Sequence, residues 1–156
     1  PLARMYRASP LNAIWEGSGN VMSLDVLRAF NKESASAILQ SLQQEFGKVK
    51  GQSKELDAHH NKVLGSIMNL NKLSVVDAQR RGRQLTEAIA VALQGVVMIT
   101  GTEGGGPVSS IEAEVFCRSR LNGQGLHYGS SLADCIQDVS EADMAKVLDS
   151  LFIGKK

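Results

Sequence analysis

Glu16 is the one carboxylate in this chain whose neighbours suit it to taking a proton from a bulky ligand. It follows the only tryptophan, Trp15, and precedes Gly17, Ser18, Gly19 and Asn20. A carboxylate becomes a stronger base where apolar neighbours and a bound ligand exclude water, and Trp15 with Ile14 supplies part of such a setting. The small residues after it let a ligand approach the backbone closely. Asn20 reads as the N-cap of a helix carrying Val21, Leu24, Leu27 and Phe30 at three- and four-residue spacing. By residue type alone, a solvent-facing loop acid at an ordinary helix start is the better reading.

The other reactive side chains form weaker patterns. His59 and His60 are adjacent, so on a helix they point in different directions and cannot share a metal by the usual i, i+4 geometry. His127 lies far away in sequence, and all three read as surface residues; no metal site is expected. Cys117 and Cys135 have no CxxC spacing and fall in helix-patterned segments, which suggests buried free thiols rather than a disulfide. A G-x-S-x-G elbow is absent, which argues against a Ser-His-Asp hydrolase. Gly104, Gly105, Gly106 and Pro107 invite a phosphate-cradle reading, but the P-loop lysine and a preceding strand are missing, so this is a flexible connection. Arg28, Lys32, Arg80, Arg81, Arg83, Arg118 and Arg120 are the candidates for phosphate contact with nucleic acid.

The elements that must position these residues are all helical. Residues 2–8 look like the end of a helix that Ser9 and Pro10 break, since the residue before a proline is pushed out of the helical region. After the Glu16 turn, helices are predicted over 21–32, from Ser34 to the polar residues around Gly51, and over 53–70. Their apolar stripes are Ile38, Leu39, Leu42 and Phe46 in the second and Leu56, Val63, Leu64, Ile67 and Met68 in the third. Short links between three helices imply an antiparallel bundle. Ser74 and Asp77 form a capping-box-like start for the longest apolar pattern, Leu85, Ile89, Leu93, Val96 and Val97, which stops at Gly101. This should be the central helix. Further helices are predicted over 110–121 and 131–139, with a last one capped by Ser140 and carrying Met144, Val147, Leu148, Leu151 and Phe152 inward. The fold class is therefore all-α, a helical bundle of about six helices.

A length of 156 residues is enough for one domain with a real core, and with only 4% aromatic residues Leu, Ile, Val, Ala and Met must fill it. The net charge of +1 hides an asymmetry: residues 1–83 hold twelve Lys and Arg against seven acids, residues 84–156 five against nine. Such a split accompanies polyanion partners, but solvated helix faces give it too. The chain has no initiator Met, no basic-then-apolar leader and no apolar run near the length of a membrane span. The expectation is a cytoplasmic protein with no membrane partner, and a piece of something longer.

Residues 7–21, Arg-Ala-Ser-Pro-Leu-Asn-Ala-Ile-Trp-Glu-Gly-Ser-Gly-Asn-Val, resemble the base-bearing segment of the acyl-CoA dehydrogenases, a flavoprotein family. More closely, they are similar to its AidB-like, alkylation-response branch (isovaleryl-CoA dehydrogenase-like), continuing through Leu24-Asp25-Val26-Leu27-Arg28. The common pattern is an aromatic residue, Glu, Gly and Thr, then a helix with Gln near its start. Here Trp15 stands where Tyr is usual, Ser18 where Thr is usual, and Met22 near the place of that Gln. These departures point to the AidB-like branch and away from ordinary fatty acyl substrates. The match is specific over residues 4–30 and continues as a looser similarity of helical pattern to about Val139.

The resemblance implies that Glu16 removes the α-proton of an acyl-CoA thioester while hydride passes to FAD, and that its backbone N–H helps to polarise the thioester carbonyl. It implies that Trp15 and Gly17 lie against the substrate, and Ser18 and Asn20 near the flavin. Residues 1–50 would end the family's C-terminal bundle and carry the base-bearing loop, with 51–156 an appended extension packed with it as one domain. Flavin and acyl chain would be enclosed with domains outside this chain, so the chain alone should bind FAD weakly and be inactive. The second class of function is a binding module with little or no dehydrogenase activity, acting in homo-oligomer formation or on duplex DNA through Arg28, Arg80, Arg81, Arg83, Arg118 and Arg120.

Overall fold

A computed structural model describes residues 2–13, 18–31, 35–103, 106, 108–122 and 139–152. Among the described residues there are seven α-helices and no strand: α1 (Leu2–Ala8), α2 (Gly19–Phe30), α3 (Ala35–Gly47), α4 (Lys54–Met68), α5 (Val75–Thr100), α6 (Ser110–Leu121) and α7 (Glu141–Phe152). Two 3₁₀ turns, Ser9–Ala13 and Leu70–Lys72, follow α1 and α4. The all-α reading holds, with one helix more than the rough count of six.

Serine side chains start four of these helices. Ser53, Ser74, Ser109 and Ser140 each accept a hydrogen bond from the backbone N–H three residues on, satisfying one of the donors that a helix N-terminus leaves free. At α6 the cap is Ser109, and Glu112 reaches back to the Ser109 N–H at 2.6 Å to complete a capping box. Between α3 and α4 the chain turns at Gly51, whose φ of +82° is the left-handed conformation that glycine adopts without strain. The Gly51 N–H donates to Asp57 of α4 at 3.1 Å, which fixes the turn to the helix that follows.

The 26-residue α5 is the centre of the bundle, packed against α2, α3, α4 and α6. Its buried stripe is Leu85, Ala92, Val96 and Ile99, and Gly82 and Gly95 bring neighbours close to its axis. A β-carbon at Gly82 would lie 2.7 Å from the Leu27 side chain of α2; one at Gly95 would lie 3.1 Å from Leu121 of α6 and 3.2 Å from Leu56 of α4. Around α5 the core is closed by Phe30, Leu42, Phe46, Val49, Val63, Ile67, Leu70, Ala113 and Cys117, all buried. Burial of each large apolar side chain is worth about 1.5–3 kcal/mol against leaving it in water.

Several predicted core residues turn outward. Val97 is 67% exposed, because the buried face of α5 runs through Ala92, Gly95, Val96 and Ile99, and at 100° per residue Val97 falls on the opposite side. Met68 and Val21 are exposed as well, one at the last turn of α4 and one in the first turn of α2. Leu24, Ile38, Leu39, Ile89 and Leu93 pack at the margin of the core. Met144 and Val147 of α7 are half-buried, and the side chains of Leu148, Leu151 and Phe152 lie outside the description. The predicted helix over 131–139 also falls almost wholly outside the described residues, as do Lys32, Ser34, Gly104, Gly105, Pro107, His127 and Cys135.

Candidate functional site

Ile14, Trp15, Glu16 and Gly17 lie outside the described residues, and the two flanks of this turn are described. Upstream, the 3₁₀ turn ends at Ala13; downstream, Ser18 is extended, with φ −67° and ψ 153°, and occupies the N-cap position of α2. The Ser18 carbonyl accepts from Met22 N at 3.1 Å, so the helical ladder starts at once after Gly17. Ser18 makes no side-chain cap. Asn20, expected as the cap, is instead the second residue of the helix.

The partner of the Asn20 carboxamide comes from 63 residues further along the chain. Arg83 of α5 donates from Nη1 to Asn20 Oδ1 at 3.2 Å. The guanidinium also covers Gly19, where a β-carbon would lie 2.5 Å from Nη1 and 2.8 Å from Cζ. Gly19 therefore leaves room for an arginine of α5, a contact that nothing in the local sequence announces. Ser23, buried one turn later, donates from Oγ to the Gly19 carbonyl at 2.7 Å. The start of α2 carries the positive end of the helix dipole, and Arg83 adds a full positive charge of the same sign. Together they make this point electropositive and suited to an anionic group.

The remaining arginines do not gather there. Arg28 pairs with Asp25, Arg80 with Asp77 at 3.7 Å and Arg118 with Glu114 at 2.5 Å, each about one turn away on its own helix. Arg120 sits in the last turn of α6, and Arg81 lines a cavity between α4 and α5. Six residues grouped by charge thus divide among three helices and several local environments.

The histidines qualify another expectation, since His59 and His60 are both half-buried and pack against neighbouring elements. His59 Nε2 donates to the Ala88 carbonyl of α5 at 3.0 Å, tying α4 to the central helix. His60 packs on Phe46, with ring centroids 4.2 Å apart, and its Nε2 is buried with no hydrogen-bond partner. Burial, reinforced weakly by Lys50 and opposed by Asp57, holds its pKa below the ordinary imidazole value. Cys117 is the buried free thiol that its sequence setting suggests, and burial pushes its pKa up. Among the described residues, no three His, Cys, Asp or Glu side chains group as a metal site would need, and no helix is long and apolar enough to cross a membrane.

Over 137 residues, covering 88% of this chain, the sequence is 32% identical to the protein named "Putative acyl-CoA dehydrogenase AidB" of Escherichia coli (strain K12). The chain is a relative of the C-terminal part of AidB. The family resemblance read from the sequence therefore agrees with a likeness that extends over most of the chain. The matched region is 22% of AidB's own length, so the chain spans about a fifth of this relative. No family model matches the chain, and no solved structure gives a significant match.

Proposed function

We propose that this chain is the C-terminal part of an FAD-dependent acyl-CoA dehydrogenase in which Glu16 is the catalytic base. The observation that carries this reading is the likeness to AidB over 88% of the chain; the choice of Glu16 rests on the resemblance of residues 7–21 to the family's base-bearing segment. Glu16 would take the α-proton of an acyl-CoA thioester, and its backbone N–H would help to polarise the thioester carbonyl. Trp15 and Gly17 would bound the acyl group, one by its ring and the other by its lack of a side chain.

The start of α2 supports the cofactor part of the reading. FAD, when bound in the full-length protein, would supply the hydride acceptor. Ser18 and Asn20 would lie beside it, and the uncapped N–H groups of α2 with the Arg83 guanidinium suit the negative charge of a phosphate-bearing cofactor. Both chemistry and cofactor belong to the whole protein, whose remaining domains would enclose them. The test is Glu16→Gln in the full-length protein, which keeps the shape and loses the basic lone pair. Flavin should stay bound while acyl-CoA turnover falls by at least about a hundredfold. Undiminished turnover would place the base elsewhere.

A second reading, a module for self-association or DNA binding, is favoured in its first half by one observation. Leu2, Met5 and Tyr6 of α1 are 60%, 65% and 80% exposed, and no residue of this helix is buried. Such a face suits another subunit or another part of the protein. For duplex DNA the exposed arginines would supply phosphate contacts without base preference, but Arg28, Arg80 and Arg118 each have a carboxylate beside them to compete.

A further inference from the structure

The cavity between the second half of α4 and the first half of α5 has an apolar floor and a basic rim. Its volume is about 600 Å³, within the range of sites that hold small organic ligands. Val63 and Leu85, both buried, form part of the floor. Lys62 and Arg81 stand at the rim, both exposed, and among the described residues neither has an ion-pair partner. No Asp or Glu lines it. Arg28, Arg80, Arg83 and Arg118 each have a carboxylate or an amide in contact; this cavity has two cations over a hydrophobic surface.

Gly65 of α4 is one of the residues that line the cavity. A β-carbon there would meet no atom within 4 Å, so the glycine is not required by packing, and any side chain would project into empty space. The cavity wall is otherwise well fixed, since His59 is held to the Ala88 carbonyl and Asn69 donates to the Gly65 carbonyl at 2.9 Å.

We propose that this cavity binds an amphipathic anion, an alkyl chain of moderate length ending in a carboxylate or a phosphate. The alkyl body would lie on Val63 and Leu85, and the headgroup would sit between Lys62 and Arg81, whose planar guanidinium matches either oxyanion in a two-pronged contact. Duplex DNA does not meet this description, because it offers no apolar body to cover the floor. None of the residues that line the cavity belongs to the stretch 14–20, and the proposal does not rest on the dehydrogenase reading.

The experiment titrates the full-length protein with octanoate, octyl phosphate and octanol by calorimetry. One or both anions should bind saturably, at least roughly tenfold more tightly than octanol, and the better of the two identifies the headgroup. Arg81→Gln should weaken the anion by roughly tenfold. Gly65→Leu should fill the cavity and abolish binding while leaving the melting temperature at or above that of the wild type. Octanol binding as tightly as the anions would remove the headgroup argument. Anion binding unchanged in both Gly65→Leu and Arg81→Gln would locate the ligand elsewhere, for instance in an acyl site near Glu16, and would overturn the proposal; Arg81→Gln, at an exposed position, decides the matter even if Gly65→Leu does not fold.

Discussion

Arg83 shows how far a residue's chemistry depends on what lies opposite it. Charge counting groups it with Arg80 and Arg81, whereas its guanidinium covers Gly19 and bonds Asn20 at the threshold of the candidate active site. No local pattern carries that information, since the two positions are 63 residues apart. The reading of Glu16 as a base, by contrast, rests on Trp15 and the small residues after it, which are neighbours in sequence, and on the family resemblance that they carry. Two residues can be tested singly. Cys117, 1% exposed with its thiol pushed up by burial, should react with iodoacetamide at least about tenfold more slowly in the native protein than in denaturant, as peptide mapping would measure. Rapid native labelling of Cys117 would contradict its place in the core. His60 gives a pH dependence. Its folded-state pKa lies below its unfolded value, so the folded form binds fewer protons than the unfolded chain as the imidazole begins to charge. Its contribution is fully present above about pH 6.5 and is lost as pH falls through the lowered folded value. Thermal melts at about pH 7.5 and pH 5.5 should therefore show a larger loss for the wild type than for His60→Gln, with equal losses contradicting the assignment.

At the scale of elements, the caps and the long apolar pattern were readable, and the close contacts were not. Ser74 and Ser140 start their helices as their spacing with Asp77 and Asp143 suggests, and the longest pattern became the central α5. The face that α5 buries, however, is built partly from Gly82, Ala92 and Gly95, which a search for large apolar residues passes over. That is why Val97 was assigned inward and is exposed. Asn20 was misassigned for a related reason: α2 starts one residue before it, and the side chain found a long-range partner instead of its own helix. The α2–α5 contact offers a direct test at Gly82. Valine there would drive a branched side chain into Leu27 and separate the helix that follows the Glu16 turn from the helix that supports it. A loss of about 1–3 kcal/mol is expected by chemical denaturation, the usual cost of overpacking. A neutral result would mean that the two helices are not held as closely as described.

At the scale of the whole molecule, the surface is the part least accounted for by this chain. Val75 and Val76 at the start of α5 are 74% and 55% exposed, in addition to the open face of α1, and contiguous apolar surface drives association. The 156-residue chain in solution should be a homodimer or larger, and light scattering that gave a monomer mass at all accessible concentrations would rule this out. No sequence pattern identifies which other chain or domain covers these residues, because covering is a property of the assembly. The dehydrogenase reading, too, belongs to the whole protein, since the chain spans 22% of AidB's length. Its most direct test is the absorbance of the full-length protein when acyl-CoA thioesters are added without oxygen. The protein should carry FAD in about stoichiometric amount, and at least one acyl-CoA should bleach the flavin band through proton removal by Glu16, with bleaching lost in Glu16→Gln. A full-length protein without flavin, or one whose flavin no acyl-CoA reduces, would contradict the account and leave the chain as a binding module.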